Sequence, residues 1–91
     1  APASAYSLKV LSSSENIKEI RLVTDDVINA RNGLNWNLEV YNVAYGTKVL
    51  EVKGMTDLSY TMDTSGWTSG MYVTRVIIGD EILTEKITVG K

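Results

Sequence analysis

The chain has 91 residues, nine basic and eleven acidic side chains for a net charge of −2, and neither cysteine nor histidine. That length supports one modest hydrophobic core, and the composition excludes disulfides, thiolate or imidazole metal sites and the usual Ser-His-Asp and Cys-His nucleophile arrangements. The charges are scattered, so no basic face for nucleic acid or anionic lipid stands out, and no apolar run reaches the roughly 18 residues of a membrane-spanning helix.

In chain order, Ala1-Pro2-Ala3-Ser4 reads as a linker, and Tyr6 to Leu11 as a strand with Tyr6, Leu8 and Val10 on one face. Ser12 to Asn16 is a polar turn. Ile17 to Val23 alternates less cleanly, with Ile17, Glu19, Arg21 and Val23 on one face and Lys18, Ile20 and Leu22 on the other. A helix over Ser14 to Arg21 competes with a strand there, and the strand is preferred. Val27 and Ile28 suit a short edge strand. Asn32-Gly33 is a strong turn signal, because both residues accept left-handed backbone angles. Asn35 to Val43 is a firm strand with Trp36, Leu38 and Val40 on one face. Tyr45-Gly46 turns the chain, Thr47 to Val52 returns as its partner, and Lys53-Gly54 ends that hairpin. Leu58, Tyr60 and Met62 then alternate inward ahead of a loop from Asp63 to Gly70. Met71 to Ile78 and Glu81 to Val89 form the last hairpin, joined by Gly79-Asp80 in a II′ or I′ turn, with Leu83, Ile87 and Val89 on one face. Short strands with turn signals every 8–12 residues predict an all-β, antiparallel sandwich of about seven strands. The expected core includes Leu8, Val10, Leu38, Val40, Tyr60, Tyr72, Val76, Leu83, Ile87 and Val89.

The chemistry-bearing residues give little to build on. Ser12 to Ser14, Ser65 and Ser69 have no base partner and read as turn residues. Paired carboxylates for glycoside hydrolysis need a cleft that so small a sandwich has little bulk to form. There is no phosphate-cradling glycine motif, and no cofactor is expected. Asp25-Asp26 with Asn29 and Asn32 offers the oxygens that Ca²⁺ prefers, but without the EF-hand spacing these residues read as a solvated, turn-forming loop. Trp36, Trp67, Tyr41 and Tyr45 are candidates for an aromatic platform against a sugar or protein ligand. The competing reading puts Trp36 in the core and Trp67 as a plug at one end of the sandwich.

The order of motifs resembles the C-terminal sorting domain of the type IX (Por) secretion system, found on secreted proteins of certain Gram-negative bacteria. Pro2-Ala3-Ser4 with Leu8 and Val10 resembles the family's opening motif, with Ala1 where Asn is usual. Leu38 to Val49 resembles its hairpin of alternating apolar residues, Tyr, Asp or Asn, and Gly, here Tyr41-Asn42 and Gly46. Met62 to Val76 resembles a stretch in which Gly70, Tyr72 and Val76 match fixed positions and Trp67 replaces Leu. Lys86-Ile87-Thr88-Val89 resembles the terminal motif, with Glu85 where Lys is frequent, and Ser12 to Asn35 has no counterpart.

The resemblance implies an Ig-like sandwich forming a single domain over residues 1–91, at the C-terminal end of a longer secreted protein. It implies an address tag without enzymatic activity, read by the secretion machinery and carried through the periplasm to the cell surface or medium. Chemistry would belong to the upstream cargo domain, commonly a peptidase, glycosidase or adhesin. The implied sorting residues are Gly70, Tyr72, Val76, Lys86, Ile87 and Val89. The alternative is a binding module that holds carbohydrate or a protein partner through Tyr41, Tyr45 and Trp67, or pairs through an edge strand. In an Ig-like fold Tyr72 packs inward while its hydroxyl reaches backbone at the preceding corner. Gly70 precedes it either because a Cβ finds no room or because only Gly takes the backbone angle cheaply. The competing reading for Tyr72 is a surface tyrosine on an edge strand.

Overall fold

The computed structural model describes residues 6–12, 14–24 and 34–90. The expected Val27–Ile28 strand, the Asn32-Gly33 turn and the Asp25-Asp26 loop with Asn29 lie outside them. The described residues form seven strands: β1 (Tyr6–Ser12), β2 (Ile17–Thr24), β3 (Trp36–Asn42), β4 (Lys48–Met55), β5 (Ser59–Asp63), β6 (Gly70–Ile78) and β7 (Glu81–Val89). All neighbours are antiparallel, in a three-stranded sheet of order β1-β2-β5 and a four-stranded sheet of order β4-β3-β6-β7. This is the two-sheet sandwich that the alternation predicts.

Period-two patterning decides which faces meet. Trp36, Leu38, Val40 and Asn42 of β3 lie on the inner face with Tyr72, Thr74, Val76 and Ile78 of β6, and all eight are buried. Ile20, Leu22 and Met62 oppose them from the three-stranded sheet. Each fully buried aliphatic side chain here stabilises the fold by about 1.5–3 kcal/mol. Ile17 to Thr24 is a strand and not a helix, because β2 lies between β1 and β5 and turns Ile20 and Leu22 inward, with Arg21 and Val23 outward.

Several expectations need correction. Leu8, Val10, Tyr60 and Leu83 pack against the core but are only half-buried. They sit on the outer strands β1, β5 and β7, where the inner face opens sideways to solvent. Gly54 does not end the β3–β4 hairpin: β4 continues to Met55, and the register moves from Leu38–Val52 to Trp36–Met55, leaving one extra residue on β4. Gly54, with φ of +69°, takes the bulge, and its N–H donates to the Asn37 Oδ1 at 3.0 Å. Of the two turns open at Gly79-Asp80, the structure takes II′, since Gly79 has φ of +56° and no described non-glycine residue has a positive φ.

The ends of the sandwich are distinct. At one end Leu22 donates to the Leu58 carbonyl at 2.8 Å, and the Trp36 indole N–H donates to the Asp57 carbonyl at 2.7 Å. Tyr6, which pairs with Thr24, and Glu81, which pairs with Ile78, lie at this end. Ser12 and Val89 lie at the other, so β1 and β7 run in the same direction.

Thr74 is fully buried in the inner row, and its hydroxyl has no hydrogen-bond partner. Leaving a buried hydroxyl unpaired costs about 1–3 kcal/mol, which an apolar group of similar shape avoids. Thr74→Val is therefore expected to stabilise the domain by about 1 kcal/mol, which a thermal melt reads as a rise of about 4–8 °C. A fall in the midpoint would mean that the hydroxyl has a partner.

Candidate functional site

The candidate residues cluster where the last hairpin meets the loop that crosses between sheets. Register sets Tyr72 opposite Ile87 and Gly70 opposite Val89. Tyr72, Val76, Ile87 and Val89 are buried, Val76 lying further down β6 opposite Leu83. Lys86 is exposed on the outer face opposite Val73, and Gly70 is exposed at the start of β6. Four of the six candidate sorting residues thus belong to the interior.

The corner around Tyr72 is built from three segments. The Tyr72 hydroxyl donates to the Thr68 carbonyl at 2.7 Å and lies 3.1 Å from the Thr68 Oγ1. The Asn42 Nδ2 donates to the same Thr68 Oγ1 at 3.5 Å. The Trp67 ring packs on Tyr72 with centroids 5.0 Å apart, tilted by 40°. At the start of the crossing loop, the Asn16 carbonyl accepts from the Thr64 N–H at 2.8 Å and from its hydroxyl at 3.0 Å. Gly70 is required by its backbone, since φ is +147° while a Cβ there would meet open space. Of the two explanations for Gly70, backbone conformation is the correct one.

Asn42 has a second task that its sequence position only hints at. Its Oδ1 accepts from the Tyr45 N–H at 3.2 Å, and its carbonyl accepts from the Gly46 N–H at 2.7 Å. Gly46 takes φ of +69° to close the turn. A short carbonyl-bearing side chain followed four residues later by glycine is thus a turn specification, and the spare amide of Asn42 ties that turn to the corner.

The aromatic candidates are not gathered into one platform. Trp36 is buried, and Trp67 covers Tyr72 at the end of the inner face. Tyr41 faces outward on β3, its hydroxyl donating to the Glu39 Oε1 at 2.9 Å, with the Lys48 ammonium 5.9 Å from its ring centre. Tyr45 is 76% exposed in the β3–β4 turn, and Val43 and Met71 are exposed as well. The Val43 N–H donates to the Met71 carbonyl at 3.0 Å, which holds that turn to β6.

On the same outer face Glu39 collects Tyr41, Lys48 at 3.2 Å and Arg75 at 3.4 Å, and Lys48 also reaches Glu51 at 3.0 Å. Register sets the two glutamates directly opposite each other, with the ammonium between them. The Tyr41 hydrogen bond, then the nearby cations, hold the Glu39 carboxyl below its usual 4.5. This hub escapes sequence reading, because Glu39, Lys48 and Arg75 meet only once strand register is known. Among the described residues no cluster of three or more acidic side chains suits a metal ion.

A family model described as "Secretion system C-terminal sorting domain" matches residues 23–90. No curated protein matches the chain. A solved structure from Bacteroides vulgatus, a DUF3244-family protein with an immunoglobulin-like β-sandwich fold, superposes with a TM-score of 0.72 at 12% identity. It covers 91% of this chain and 84% of its own. At that identity the likeness establishes an Ig-like fold and nothing of function.

Two outcomes are expected from the corner and the hub. Tyr72→Phe should cost about 1 kcal/mol for the lost buried hydroxyl contact, and Tyr72→Ala about 3–5 kcal/mol for the emptied aromatic site. Denaturant midpoints read both, and an unchanged midpoint in Tyr72→Ala would contradict the inward placement. Glu39 has a folded pKa below its unfolded value, so its contribution is present above about pH 4.5 and is lost as pH falls through the folded value. Glu39→Gln should therefore flatten the decline of urea midpoints as pH falls below about 4.5. An identical slope would remove Glu39 from the acid response.

Proposed function

The chain belongs to the family of secretion-system C-terminal sorting domains of the type IX pathway, and on that premise we propose that it is the export address of a larger protein. Domains of this family travel on proteins delivered to the cell surface or released from the cell. In this reading the sandwich carries no catalytic function of its own; it is recognised by the outer-membrane export machinery after passage through the periplasm, and the chemistry resides in its cargo.

The observation that carries the reading is the extent of the family match, which spans β3 through β7 whole. It includes the Tyr72 corner and the terminal hairpin. The buried motif positions suggest a division of labour. Gly70, Tyr72, Val76, Ile87 and Val89 specify the folded hairpin, and Lys86 is the motif side chain left facing outward for a receptor. A binding-module role has one observation in its favour, the exposure of Tyr45 together with Val43 in the β3–β4 turn. A protein or carbohydrate surface could use that turn without the corner.

A reporter fused ahead of residues 1–91 in a type IX-competent host separates the two. Export to the surface is expected for the sorting role, with Lys86→Glu reducing it while the melting midpoint stays put. Retention of the fusion in the periplasm would reject the sorting role, and glycan-array or pull-down binding abolished by Tyr45→Ala would then favour the module.

A further inference from the structure

Gly90 follows β7 with φ of +106°. A Cβ built on it would stand 2.6 Å from the Ser69 Cβ and 3.1 Å from the Ser69 Cα, against about 3.5–4.0 Å for carbon atoms in ordinary contact. At Gly46, Gly54, Gly66, Gly70 and Gly79 an added Cβ would meet nothing. Among the described glycines, Gly90 is therefore the one that packing as well as backbone conformation requires.

The contact falls at a defined place. Gly70 and Val89 form the last rung of the β6–β7 ladder, so Ser69 and Gly90 lie one residue beyond it. Ser69 stands between Thr68, whose carbonyl accepts from the Tyr72 hydroxyl, and Gly70, whose φ of +147° leads the chain into β6. The end of the crossing loop is thus held twice, by the corner tyrosine through Thr68 and by the end of the terminal hairpin through Ser69. Ser69, Gly70 and Gly90 are all exposed, so this junction is fixed in place while open to solvent. A side chain at position 90 would have to displace Ser69 or turn the chain away from the loop. Either movement changes the path by which the chain leaves β7.

We infer that Gly90 is a positioning residue of the sorting element: its bare backbone seats on Ser69, joins the terminal hairpin to the Tyr72 corner, and fixes the direction in which the chain leaves β7. This adds a position to those that the family motif assigns, and its bearing on export rests on the export reading. The contact itself belongs to the folded chain and is measured without any export machinery.

Two measurements test it. In the purified chain, Gly90→Ala is expected to lower the melting midpoint by several degrees, and by less when Ser69→Gly has already removed the obstructing side chain. The strain of a positive φ is common to both backgrounds, so the non-additive part reads the contact alone. Additive losses, or an unchanged midpoint in Gly90→Ala, would overturn the proposal. In the reporter fusion, Gly90→Ala is compared with a truncation of half-buried Val10, Val10→Ala or Val10→Ser, whichever matches its midpoint; Val10 lies in β1, outside the family match. Surface reporter is expected to fall with Gly90→Ala, to recover in part with Ser69→Gly added, and to hold in the matched β1 variant. Equal losses in the two would reduce Gly90 to a purely structural glycine and overturn its sorting role. Retention of the unsubstituted fusion would overturn the export reading and that role together, while the midpoints still decide the contact.

Discussion

The Tyr72 side chain, its ring packed in the inner row and its hydroxyl donating to the Thr68 carbonyl, fastens the crossing between the sheets. The loop that leaves β5 must carry the chain from the three-stranded sheet to the four-stranded one within six residues. Its first residue, Thr64, is anchored to Asn16 of the β1–β2 hairpin. Its far end is anchored through Thr68 to Tyr72, with Asn42 joining from β3. Trp67 closes the space above the Tyr72 ring. Because Tyr72 also starts the inner row of β6, the same ring that fastens the loop sets the level of β6 against β3 and β7. Loss of the ring would disconnect loop, turn and hairpin together.

How far the fold can be read from sequence varies with what each residue's position depends on. The inner row of β6 is legible because Tyr72, Val76 and Ile78 fall at period two, and burial on one face is enough to produce that pattern. Ile17 to Val23 is ambiguous because apolar residues occupy both faces; β5 resolves it by pairing along β2 and turning Ile20 and Leu22 inward. Gly54 signals a positive φ in either of two settings, a strand end or a bulge, and only the partner strand with Asn37 decides between them. Leu83 has the right period but lies on an outer strand, so its burial is partial. Glu39 and its partners cannot be found without register, because three strands supply them.

The candidate site shows the same division. The corner tyrosine and its glycine can be anticipated, since a strand start that follows a crossing loop favours an inward ring with its hydroxyl on nearby backbone. The identity of the acceptor, Thr68, and the reach of Asn42 depend on the path of the loop and leave no periodic trace. Most of the family's fixed positions in this chain are interior. A pattern that looks like a recognition signal in one dimension is, in three, chiefly a set of instructions for packing the last hairpin. Surface identity is left to Lys86 and to residues between the fixed positions, among them Thr84, Glu85 and Thr88.

The opposed ends of β1 and β7 have a mechanical consequence. Tension applied between Tyr6 and Val89 acts along the strands, pulling β1 lengthwise past β2 and β7 lengthwise past β6. The hydrogen bonds of each ladder are then loaded together in shear and not peeled one after another. All seven register pairs between β1 and β2 share the load at once. A domain drawn through a pore or held against flow by these two ends would resist as a unit until a whole ladder slips, with survival set by the unfolding rate under force more than by equilibrium stability.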